Sequence, residues 1–498
     1  MRRSVAMTGS TEAELADHLL REDGQEDLCL GTWRPSTGRR RRTAILHRAI
    51  LPGRGDRAIH GNASFEPAYT LRAAQEAAAA GVGLAFMHSH PRGSGWQSLN
   101  ETDRIAESRV ANVARELTGL PLVGLTLSGD RCWSARVWEG AGREVTPVPC
   151  ETVRTVGATF GATFDDSILP VPQPSEMQDR TVHTWGEEIQ AKIARLRVAV
   201  AGVGSVGMAI ADVLARTGLE CVGVFDFDTV ESVNLDRLRG ASRLDAFLRR
   251  SKADLARQLL DEGSTAAAPR HEIHEFSICE PAGLMRLLDF DLIFSCVDRP
   301  WPRHVLNVIA YADLIPVVEG GMTAFRHVDG SLRNAYWSST LVRPGRPCLA
   351  CLGQYDPALV QVERDGSLDD PSYIANLPPD SPIRRRENVA AISASVVAAL
   401  LEQFITCVAH PSGFGDPGSL RFSLRDHSVK RLDTACRAGC PYPLSVGCGD
   451  ARLDPTGSHA AAEQARRTRS TVPIQVAPLR VMAAGHHALG ERLARFAQ

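Results

Sequence analysis

The sequence has no uninterrupted apolar run of about 18 residues, the length that a membrane-spanning helix requires. Arg2 and Arg3 follow the first methionine, but no apolar core comes after them, so no secretory signal peptide is predicted. The sequence also has no large excess of positive or negative charge, because its formal net charge is −2. We therefore expect no nucleic-acid or membrane partner. Twelve cysteines without a secretory signal favour reduced thiols in the cytoplasm.

Composition divides the chain into four parts. An apolar content of 44% with 23% charged residues is typical of a soluble globular protein, and 498 residues suffice for about three domains. We predict a first domain over residues 1–140, a proline-rich linker over 141–176 and a second domain over 177–450. The tail over 451–498 receives no functional assignment.

The first domain is predicted to be an α+β module. "EDLCLGTW" and "TAILHRAIL" predict two strands, and "VGLAFMHSHP" predicts a buried strand that stops at proline. "FEPAYTLRAAQEAAAAG" and "ETDRIAESRVANVARE" predict two helices. The arginine runs at 39–42 and 384–386 are interpreted as solvated surface segments.

Two histidines one residue apart, His88 and His90, end the predicted buried strand. Residues i and i+2 of a strand point to the same side, so both imidazoles are aimed at one place. A carboxylate from the start of the next helix would complete three protein ligands, which with a water is the pattern of a catalytic zinc site. Another carboxylate could carry the proton of that water, and Glu26, placed on the first strand just before "LCLG", is our candidate.

The string Glu26…His88-Ser-His90-Pro…Asp103 resembles the JAMM (MPN+) metalloprotease family. Members of that family are zinc isopeptidases that remove ubiquitin and ubiquitin-like proteins. The resemblance covers roughly residues 10–140. It implies a JAMM-type α+β fold with a catalytic zinc ion held by the two histidines and a carboxylate.

The third zinc ligand has two candidates. The family usually has a serine three residues before the aspartate ligand. Ser98 with Glu101 keeps the usual distance from His90, whereas Asn100 with Asp103 keeps the aspartate but needs two extra residues. We favour Asp103, because the insertion falls in the glycine-rich "RGSGW" loop, where extra residues are tolerated. Asn100 would then donate a hydrogen bond to the developing oxyanion.

The second domain alternates short β-rich runs with helical ones, which predicts a parallel sheet. Its first strand leads into "VAVAGVGSVGMAIADVLA", where Gly202, Gly204 and Gly207 form G-x-G-x-x-G at the start of a helix. Glycines let the backbone approach a phosphate, and the helix N-terminus offers free N–H groups. Asp226 ends the next strand, where it could bind ribose hydroxyls. Taken alone, this pattern would also suit a dehydrogenase that uses NAD.

The residues that follow favour a triphosphate. "DFDTVESVNLDRL" adds Asp228, Asn234 and Arg237, and Lys252 comes soon after. The two cations can neutralise a triphosphate, and the asparagine can donate hydrogen bonds to it. "DLIFSCVD" places Asp298 at the end of a strand, where it could hold Mg²⁺.

This combination resembles the ThiF/MoeB-like family, the adenylating core of ubiquitin-activating enzymes. The resemblance implies a Rossmann-like domain with a mostly parallel sheet, which binds ATP and Mg²⁺ and adenylates the C-terminal glycine of a ubiquitin-like or sulfur-carrier protein. "MQDRTVHTWGEEIQAKIARLRV" resembles the family's entry helices. Arg180 matches an arginine that reaches the nucleotide, often that of the partner subunit. A homodimer is expected on the same ground.

Cysteines predict a second zinc ion. "PCLAC" supplies Cys348 and Cys351, and "CRAGC" supplies Cys436 and Cys440. Four thiolates make a closed, structural zinc site, as the family resemblance also implies. The second pair has three intervening residues instead of two, and Cys448 could replace either member.

One feature of activating enzymes is missing. Their thioester-forming cysteine follows the first C-x-x-C pair, but the stretch Leu352–Phe404 contains no cysteine, and Cys407 lies in a predicted buried helix. The activated carboxylate would therefore pass to another protein's thiol, to a sulfur donor or to a conjugating enzyme.

The two resemblances together predict a bifunctional enzyme of a bacterial ubiquitin-like system. The first domain would trim or deconjugate the ubiquitin-like protein, and the second would activate its exposed carboxyl end. Fusions of this kind occur near antiviral loci and near sulfur-transfer genes. Two alternatives are thiocarboxylate formation for cofactor or cysteine synthesis, and a first domain that only binds the ubiquitin-like protein.

Overall fold

The structure is a computed structural model. It describes residues 1–60, 62–140, 142–377, 381, 387–409 and 415–470. The arginine run at 384–386 and the end of the tail, 471–498, lie outside the described residues.

The first half of the chain folds around one mixed sheet. Its elements are β1 (Arg2–Thr8), α1 (Gly9–Leu19), β2 (Leu28–Thr37), β3 (Arg41–Ile50), β4 (Arg57–His60), β5 (Asn62–Phe65), α2 (Pro67–Ala79), β6 (Gly83–His90), α3 (Glu101–Thr118), β7 (Leu122–Ser128), β8 (Trp133–Glu139), β9 (Thr146–Pro149), β10 (Thr152–Val156) and β11 (Phe160–Phe164). In the described part of the chain, nine strands form this sheet in the order β11-β10-β1-β3-β2-β6-β7-β8-β9, while β4 and β5 form a separate hairpin. The two predicted strands are confirmed as β2 and β3, the two predicted helices as α2 and α3, and the predicted buried strand as β6.

The boundary predicted at residue 140 is wrong. The segment 141–176 was predicted as a linker, but β9, β10 and β11 lie in it and belong to the first sheet. β10 pairs in parallel with β1, an N-terminal strand that the sequence reading missed. Strands β9, β10 and β11 are only four or five residues long, and β9 contains prolines while β11 contains a glycine, so the three carry little periodic signal.

The second half is built on another sheet with helices on both faces. Its elements are α4 (Asp179–Trp185), α5 (Glu187–Arg195), β12 (Arg197–Ala201), α6 (Ser205–Arg216), β13 (Cys221–Phe225), α7 (Arg243–Phe247), α8 (Lys252–Gly263), β14 (Glu272–His274), α9 (Pro281–Leu287), β15 (Leu292–Ser295), α10 (Pro300–Ala312), β16 (Val317–Arg326), β17 (Leu332–Val342), α11 (Ala358–Arg364), α12 (Pro371–Asn376), α13 (Ala390–Val408), β18 (Ser419–Ser423), β19 (Ser428–Leu432), α14 (Pro441–Leu444) and α15 (Ala460–Ser470).

The second sheet is parallel in only one half. Its order is β14-β13-β12-β15-β16-β17-β18-β19. The five strands β14-β13-β12-β15-β16 pair in parallel with their neighbours. The pairs β16–β17, β17–β18 and β18–β19 are antiparallel. The expectation of a mostly parallel sheet therefore holds for the strands around the glycine-rich turn. The antiparallel extension was not predicted.

Helix α13 is long and apolar enough to cross a membrane by length and composition. Such a helix is also what the centre of a globular domain requires, and α13 packs in this way. Val396, Leu400 and Phe404 on one face lie in the same core as α6 and the sheet, together with Cys407 one turn later. The expectation that the helix is buried is confirmed for this face.

The two halves share a core and a polar interface. Ala6 and Phe160 of the first sheet lie in the same apolar cluster as the core of the second half. Arg41, interpreted as part of a solvated loop, is fully buried and forms an ion pair with Asp291. That interpretation is therefore wrong for Arg41. Its position between two folded sheets could not be read from a local run of charge.

Candidate functional site

The end of β6 and the start of α3 bring three side chains together, here called the His–His–Asp site: His88, His90 and Asp103. The Nε2 atoms of the two histidines are 3.2 Å apart. Asp103 Oδ2 lies 3.2 Å from His90 Nε2 and 3.6 Å from His88 Nε2. β6 supplies the histidines two residues apart on one side of the strand, as predicted.

These separations fit a zinc ion. Ligand atoms about 2.05 Å from zinc in a tetrahedral arrangement are about 3.3 Å from one another. The triangle in the His–His–Asp site has nearly these dimensions, and its chemistry, two imidazoles and one carboxylate, is that of zinc sites with an open position.

Charge in the site is organised around Asp103. Burial alone would raise the pKa of its carboxyl group, but hydrogen bonds from the two imidazoles hold this pKa well below its usual range. The Asp103 carboxylate in turn raises the pKa of His90, against the effect of burial. A half-buried anion between two imidazoles is the charge balance expected where a cation binds.

Glu26 lies close to this site, although not on a strand. It stands in the loop just before β2, which corrects the prediction that it lies on the strand itself. Its charge contributes to raising the pKa of His90. The loop is held against β6 because the Ser89 N–H donates to the Asp27 carbonyl and the Asp27 N–H donates to Ser89 Oγ, both at 3.0 Å. The residue between the two histidines thereby fixes the backbone next to Glu26.

The structure favours Asp103 over Glu101 as the third ligand. Glu101 is exposed and forms an ion pair with Arg104 on the outer face of α3. Asn100 is the N-cap of α3, and its side chain accepts a hydrogen bond from the Asp103 N–H at 2.8 Å. Ser98 is exposed. Asn100 therefore positions Asp103, and its predicted contact with an oxyanion stays a prediction.

Each histidine has an acceptor near its second ring nitrogen. His88 Nδ1 is buried without a hydrogen-bond partner, and Glu107 Oε1 lies 3.7 Å away. Gln97 Oε1 lies 3.3 Å from His90 Nδ1. Metal-binding histidines commonly donate this second N–H to a carboxylate or carbonyl, which fixes the ring and its tautomer.

Glu107 is held firmly in place. It is fully buried and forms an ion pair with Arg136. Trp138 Nε1 donates to Glu107 Oε2 at 2.7 Å. A Cβ at position 124 would lie 2.3 Å from Glu107 Oε2, so only glycine leaves room for this carboxylate. Sequence reading missed Glu107, yet it lies four residues after Asp103 and thus on the same face of α3.

The glycine-rich turn joins β12 to α6 as predicted. Gly202 has a φ of +85°, which favours glycine, and a Cβ there would lie 2.7 Å from the Cys296 carbonyl. A Cβ at Gly207 would lie 1.9 Å from the Gly202 carbonyl. Gly204 is the N-cap of α6, and the space around its Cα is open. The turn therefore exposes backbone at a helix N-terminus, where a phosphate can bind.

Four charged side chains surround this turn and are here called the strand-end cluster: Asp226, Asp228, Lys252 and Asp298. Lys252 Nζ lies 2.8 Å from Asp228 Oδ2. Burial lowers the pKa of Lys252, but the charges of Asp226, Asp228 and Asp298 outweigh this effect and raise it. The sequence-predicted members thus meet at one edge of the sheet.

Asp226 has a structural task within the cluster. Its Oδ2 accepts from the Val203 N–H and its Oδ1 from the Asp228 N–H, both at 2.8 Å. The carboxylate thereby ties the glycine-rich turn to the next loop. Burial raises the pKa of Asp226. Each oxygen keeps a second lone pair, so both bonds are compatible with ribose binding.

Three residues predicted to meet the nucleotide have other partners or are exposed in the described part of the chain. Arg237 donates to the Val233 carbonyl at 2.6 Å and pairs with Asp236. Asn234 Oδ1 accepts from the Glu231 N–H. Arg180 is exposed on α4. Their roles at a nucleotide, and that of Arg180 toward a partner subunit, stay predictions.

The four cysteines predicted to bind zinc form a cluster, here called the cysteine cluster: Cys348, Cys351, Cys436 and Cys440. Cys440 Sγ lies 3.7 Å from Cys348 Sγ and 3.9 Å from Cys351 Sγ. Sulfur atoms about 2.3 Å from a tetrahedral zinc ion are about 3.8 Å apart, so the residues fit this metal. Cys448 lies elsewhere, near Asp313 and Arg452, and is not a member.

Cys407 does not offer a thioester site. It is buried in α13, and burial raises the pKa of its thiol to about 12. A thiol that stays protonated at neutral pH is a poor nucleophile.

Comparison with known proteins supports the family resemblance predicted for the second half of the chain. The model of the ThiF family matches residues 178–429, just over half of the sequence. The chain therefore belongs to the ThiF family. The matched segment contains the glycine-rich turn, the strand-end cluster and the first cysteine pair.

Several curated relatives resemble part of the chain. The molybdopterin-synthase adenylyltransferase of Escherichia coli (strain K12) is 30% identical over 167 residues, which are 32% of this chain and 59% of that protein. The ubiquitin-like modifier-activating enzyme 5 of Drosophila mojavensis is 28% identical over 174 residues, 33% of this chain and 41% of the relative. The adenylyltransferase and sulfurtransferase MOCS3 of Mus musculus is 30% identical over 150 residues, 28% of this chain and 31% of the relative. The chain thus spans 59% or less of these three relatives.

Among solved structures, E. coli MccB with SeMet MccA is similar at a TM-score of 0.40 and 16% identity. That similarity covers 56% of this chain and 75% of MccB.

Proposed function

We propose that the second half of the chain uses ATP and Mg²⁺ to adenylate the C-terminal glycine of a ubiquitin-like or sulfur-carrier protein. The observation that carries this proposal is the strand-end cluster beside the N-terminus of α6. Membership in the ThiF family and similarity to relatives that include two adenylyltransferases support it. A nicotinamide cofactor would use Asp226 at this edge, but it would have no use for Asp228, Lys252 and Asp298.

The chain's residues divide the work of adenylation. Backbone N–H groups at the start of α6 and the Lys252 ammonium would neutralise the triphosphate. Asp298 and Asp228 would hold Mg²⁺ on it. Attack by a bound carboxylate on the α-phosphate then releases pyrophosphate. The test is ATP–pyrophosphate exchange that depends on a ubiquitin-like protein.

We further propose that the first half is a zinc peptidase of the JAMM (MPN+) type that processes or deconjugates the same partner. The triangle of His88, His90 and Asp103 carries this proposal. Zinc would supply Lewis acidity toward a water and toward the scissile carbonyl. Glu26 would take the proton from the attacking water and deliver it to the leaving amine. Glu107 and Gln97 would keep the two imidazoles oriented.

A second route for the adenylated product is sulfur transfer. The stretch Leu352–Phe404 has no cysteine, and Cys407 is buried, so the chain offers no thioester site in this region. A thiocarboxylate pathway needs no thioester site.

We propose a cytoplasmic homodimer in a bacterial system, with a conjugating enzyme or a sulfur donor as the next partner. The elution volume on a calibrated size-exclusion column tests whether the chain is a dimer.

Metal content is expected to be two zinc ions per chain. His88→Ala should lose one ion, and Cys440→Ser should lose the other together with stability, because a closed thiolate site contributes directly to folding. Elemental analysis of the purified variants and thermal unfolding measure both effects. A wild-type chain with a single zinc ion would contradict one of the two sites, and the two variants show which.

Glu107→Gln is expected to weaken zinc binding at the His–His–Asp site about 10- to 100-fold, because His88 loses its anionic acceptor. Competition with a zinc indicator measures the affinity, and zinc in the cysteine cluster is the internal control. The single variant leaves Arg136 buried without its partner, so Glu107→Gln with Arg136→Gln should be tested alongside it. Unchanged affinity in both proteins would remove Glu107 from the metal site.

A further inference from the structure

Part of the tail folds back onto the second domain. Residues 452–470, here called the tail segment, lie beyond the matched family segment. Three of its backbone groups are held by hydrogen bonds: the Pro455 carbonyl accepts from Trp301 Nε1 at 2.8 Å, the Thr456 carbonyl from Arg364 Nη2 at 2.9 Å, and the Gly457 N–H donates to the Cys279 carbonyl at 2.9 Å. In α15, Arg466 pairs with both carboxylate oxygens of Glu280. The segment is therefore docked and not a free end.

His459 is the central side chain of this contact. It is 7% exposed, and its ring lies between those of Phe227 and Trp301, with centroids 5.2 and 5.1 Å away. Ser277 Oγ lies 2.6 Å from His459 Nδ1 and already accepts from the Cys279 N–H. The serine O–H is thus available to donate to Nδ1. Burial lowers the pKa of His459, which agrees with a neutral, accepting ring.

The two aromatic partners of His459 belong to loops that carry the strand-end cluster. Phe227 stands between Asp226 and Asp228, after β13. Trp301 follows Asp298 by three residues, at the start of α10. Strands β13 and β15 each pair with β12 and not with each other, so no ladder of the sheet joins their loops. His459 supplies that connection across the glycine-rich turn.

We propose that His459 is a positioning residue for the nucleotide site. Through Phe227 and Trp301 it fixes the spacing of the loops that carry Asp228 and Asp298, and the tail segment thereby becomes part of the ATP site without touching the nucleotide. This inference rests on the proposed adenylation, because it assigns ATP·Mg to the strand-end cluster. Two aromatic contacts and one hydrogen bond are enough to shift an affinity about tenfold.

Kinetics of ATP–pyrophosphate exchange test the role. His459→Ala is expected to raise the KM for ATP about tenfold, with kcat at saturating ATP within about twofold of wild type and the KM for the protein substrate unchanged. Ser277→Ala and His459→Phe each remove the hydrogen bond between these two residues but keep an aromatic ring at position 459. Both variants should therefore raise the KM for ATP less than His459→Ala does. Exposed His327, in the turn between β16 and β17, provides the control His327→Ala.

Binding without a protein substrate gives a second readout on the unmodified chain. If the folded tail segment raises the affinity for ATP, then by linkage bound ATP must stabilise the folded tail segment. Hydrogen exchange of the wild-type chain with and without ATP·Mg should therefore slow in residues 455–470, including the Gly457 N–H. This measurement does not depend on any variant folding correctly.

The outcomes separate the two levels of the argument. A wild-type chain that binds ATP, with His459→Ala and Ser277→Ala within twofold of its KM and no slowing of exchange in the tail segment, overturns the role of His459 alone. A wild-type chain that fails to bind ATP overturns the proposed adenylation and this inference with it. A raised KM in His459→Ala, slower exchange in the tail segment and an unaffected His327→Ala support it.

Discussion

Glu26→Gln is expected to lower peptide-bond cleavage by about 10²- to 10⁴-fold while both zinc ions stay bound. The glutamine side chain has nearly the same shape but cannot accept a proton, and Glu26 is not one of the three residues of the metal triangle. The substrate is a ubiquitin-like protein fused through its C-terminal glycine to a small reporter protein, and the rate is followed by gel. Metal analysis of the same sample shows that the metal site is intact.

Glu22→Gln is the matched control for this experiment. Glu22 stands in the same loop, four residues earlier, and is exposed. It should cleave at the wild-type rate. Undiminished cleavage by Glu26→Gln would show that another group carries the proton, whereas loss of zinc in this variant would place Glu26 among the ligands.

Asp298→Ala is expected to lower ATP–pyrophosphate exchange by about 10²-fold or more, because the triphosphate would lose its magnesium ligand at the end of β15. The variant should keep its zinc and its peptidase activity, since Asp298 is exposed and lies in the other half of the chain. Exchange is measured with labelled pyrophosphate over a range of Mg²⁺ concentrations. A shift of the Mg²⁺ requirement to higher concentration would assign the loss to the metal.

Asp17→Asn controls for a general effect of removing an acidic side chain. Asp17 is exposed on α1 of the first domain and should leave exchange unchanged. Exchange that survives in Asp298→Ala would remove this residue from the mechanism. Lys252→Ala then offers a separate probe of the strand-end cluster, because the role proposed for Lys252 is to neutralise the triphosphate and not to hold Mg²⁺.

The two halves of the chain are joined by a packed interface as well as by the backbone. Arg41 pairs with Asp291 in a buried interface, and Ser36 Oγ donates to Asp313 Oδ1 at 2.7 Å. Removing one partner of a buried ion pair costs about 3–5 kcal/mol, because the other charge is left buried and unpaired, so the interface needs both residues. The His–His–Asp site and the strand-end cluster are therefore carried on one packed body, with a fixed orientation toward each other.

Local patterns in the sequence were enough to locate both candidate sites. His88 and His90 are two residues apart on a strand, so they had to point to one side. The positions of Gly202, Gly204 and Gly207 specified a tight turn between a strand and a helix, and the structure places that turn as expected. Elements with strong periodicity or sharp ends, such as α3 and β6, were predicted nearly to their observed bounds.

The sequence alone determined which residues are candidates for holding metal and for meeting a triphosphate, and the order in which the two candidate sites follow each other along the chain. Only the tertiary structure decided the interactions between residues distant in the chain. It added β9–β11 to the first sheet, buried Arg41 at an interface, selected Cys436 and Cys440 over Cys448, placed Glu107 behind His88 and brought His459 back onto Phe227. The physical reason is that periodicity and turn chemistry act over a few residues, whereas these contacts depend on how whole sheets and helices pack.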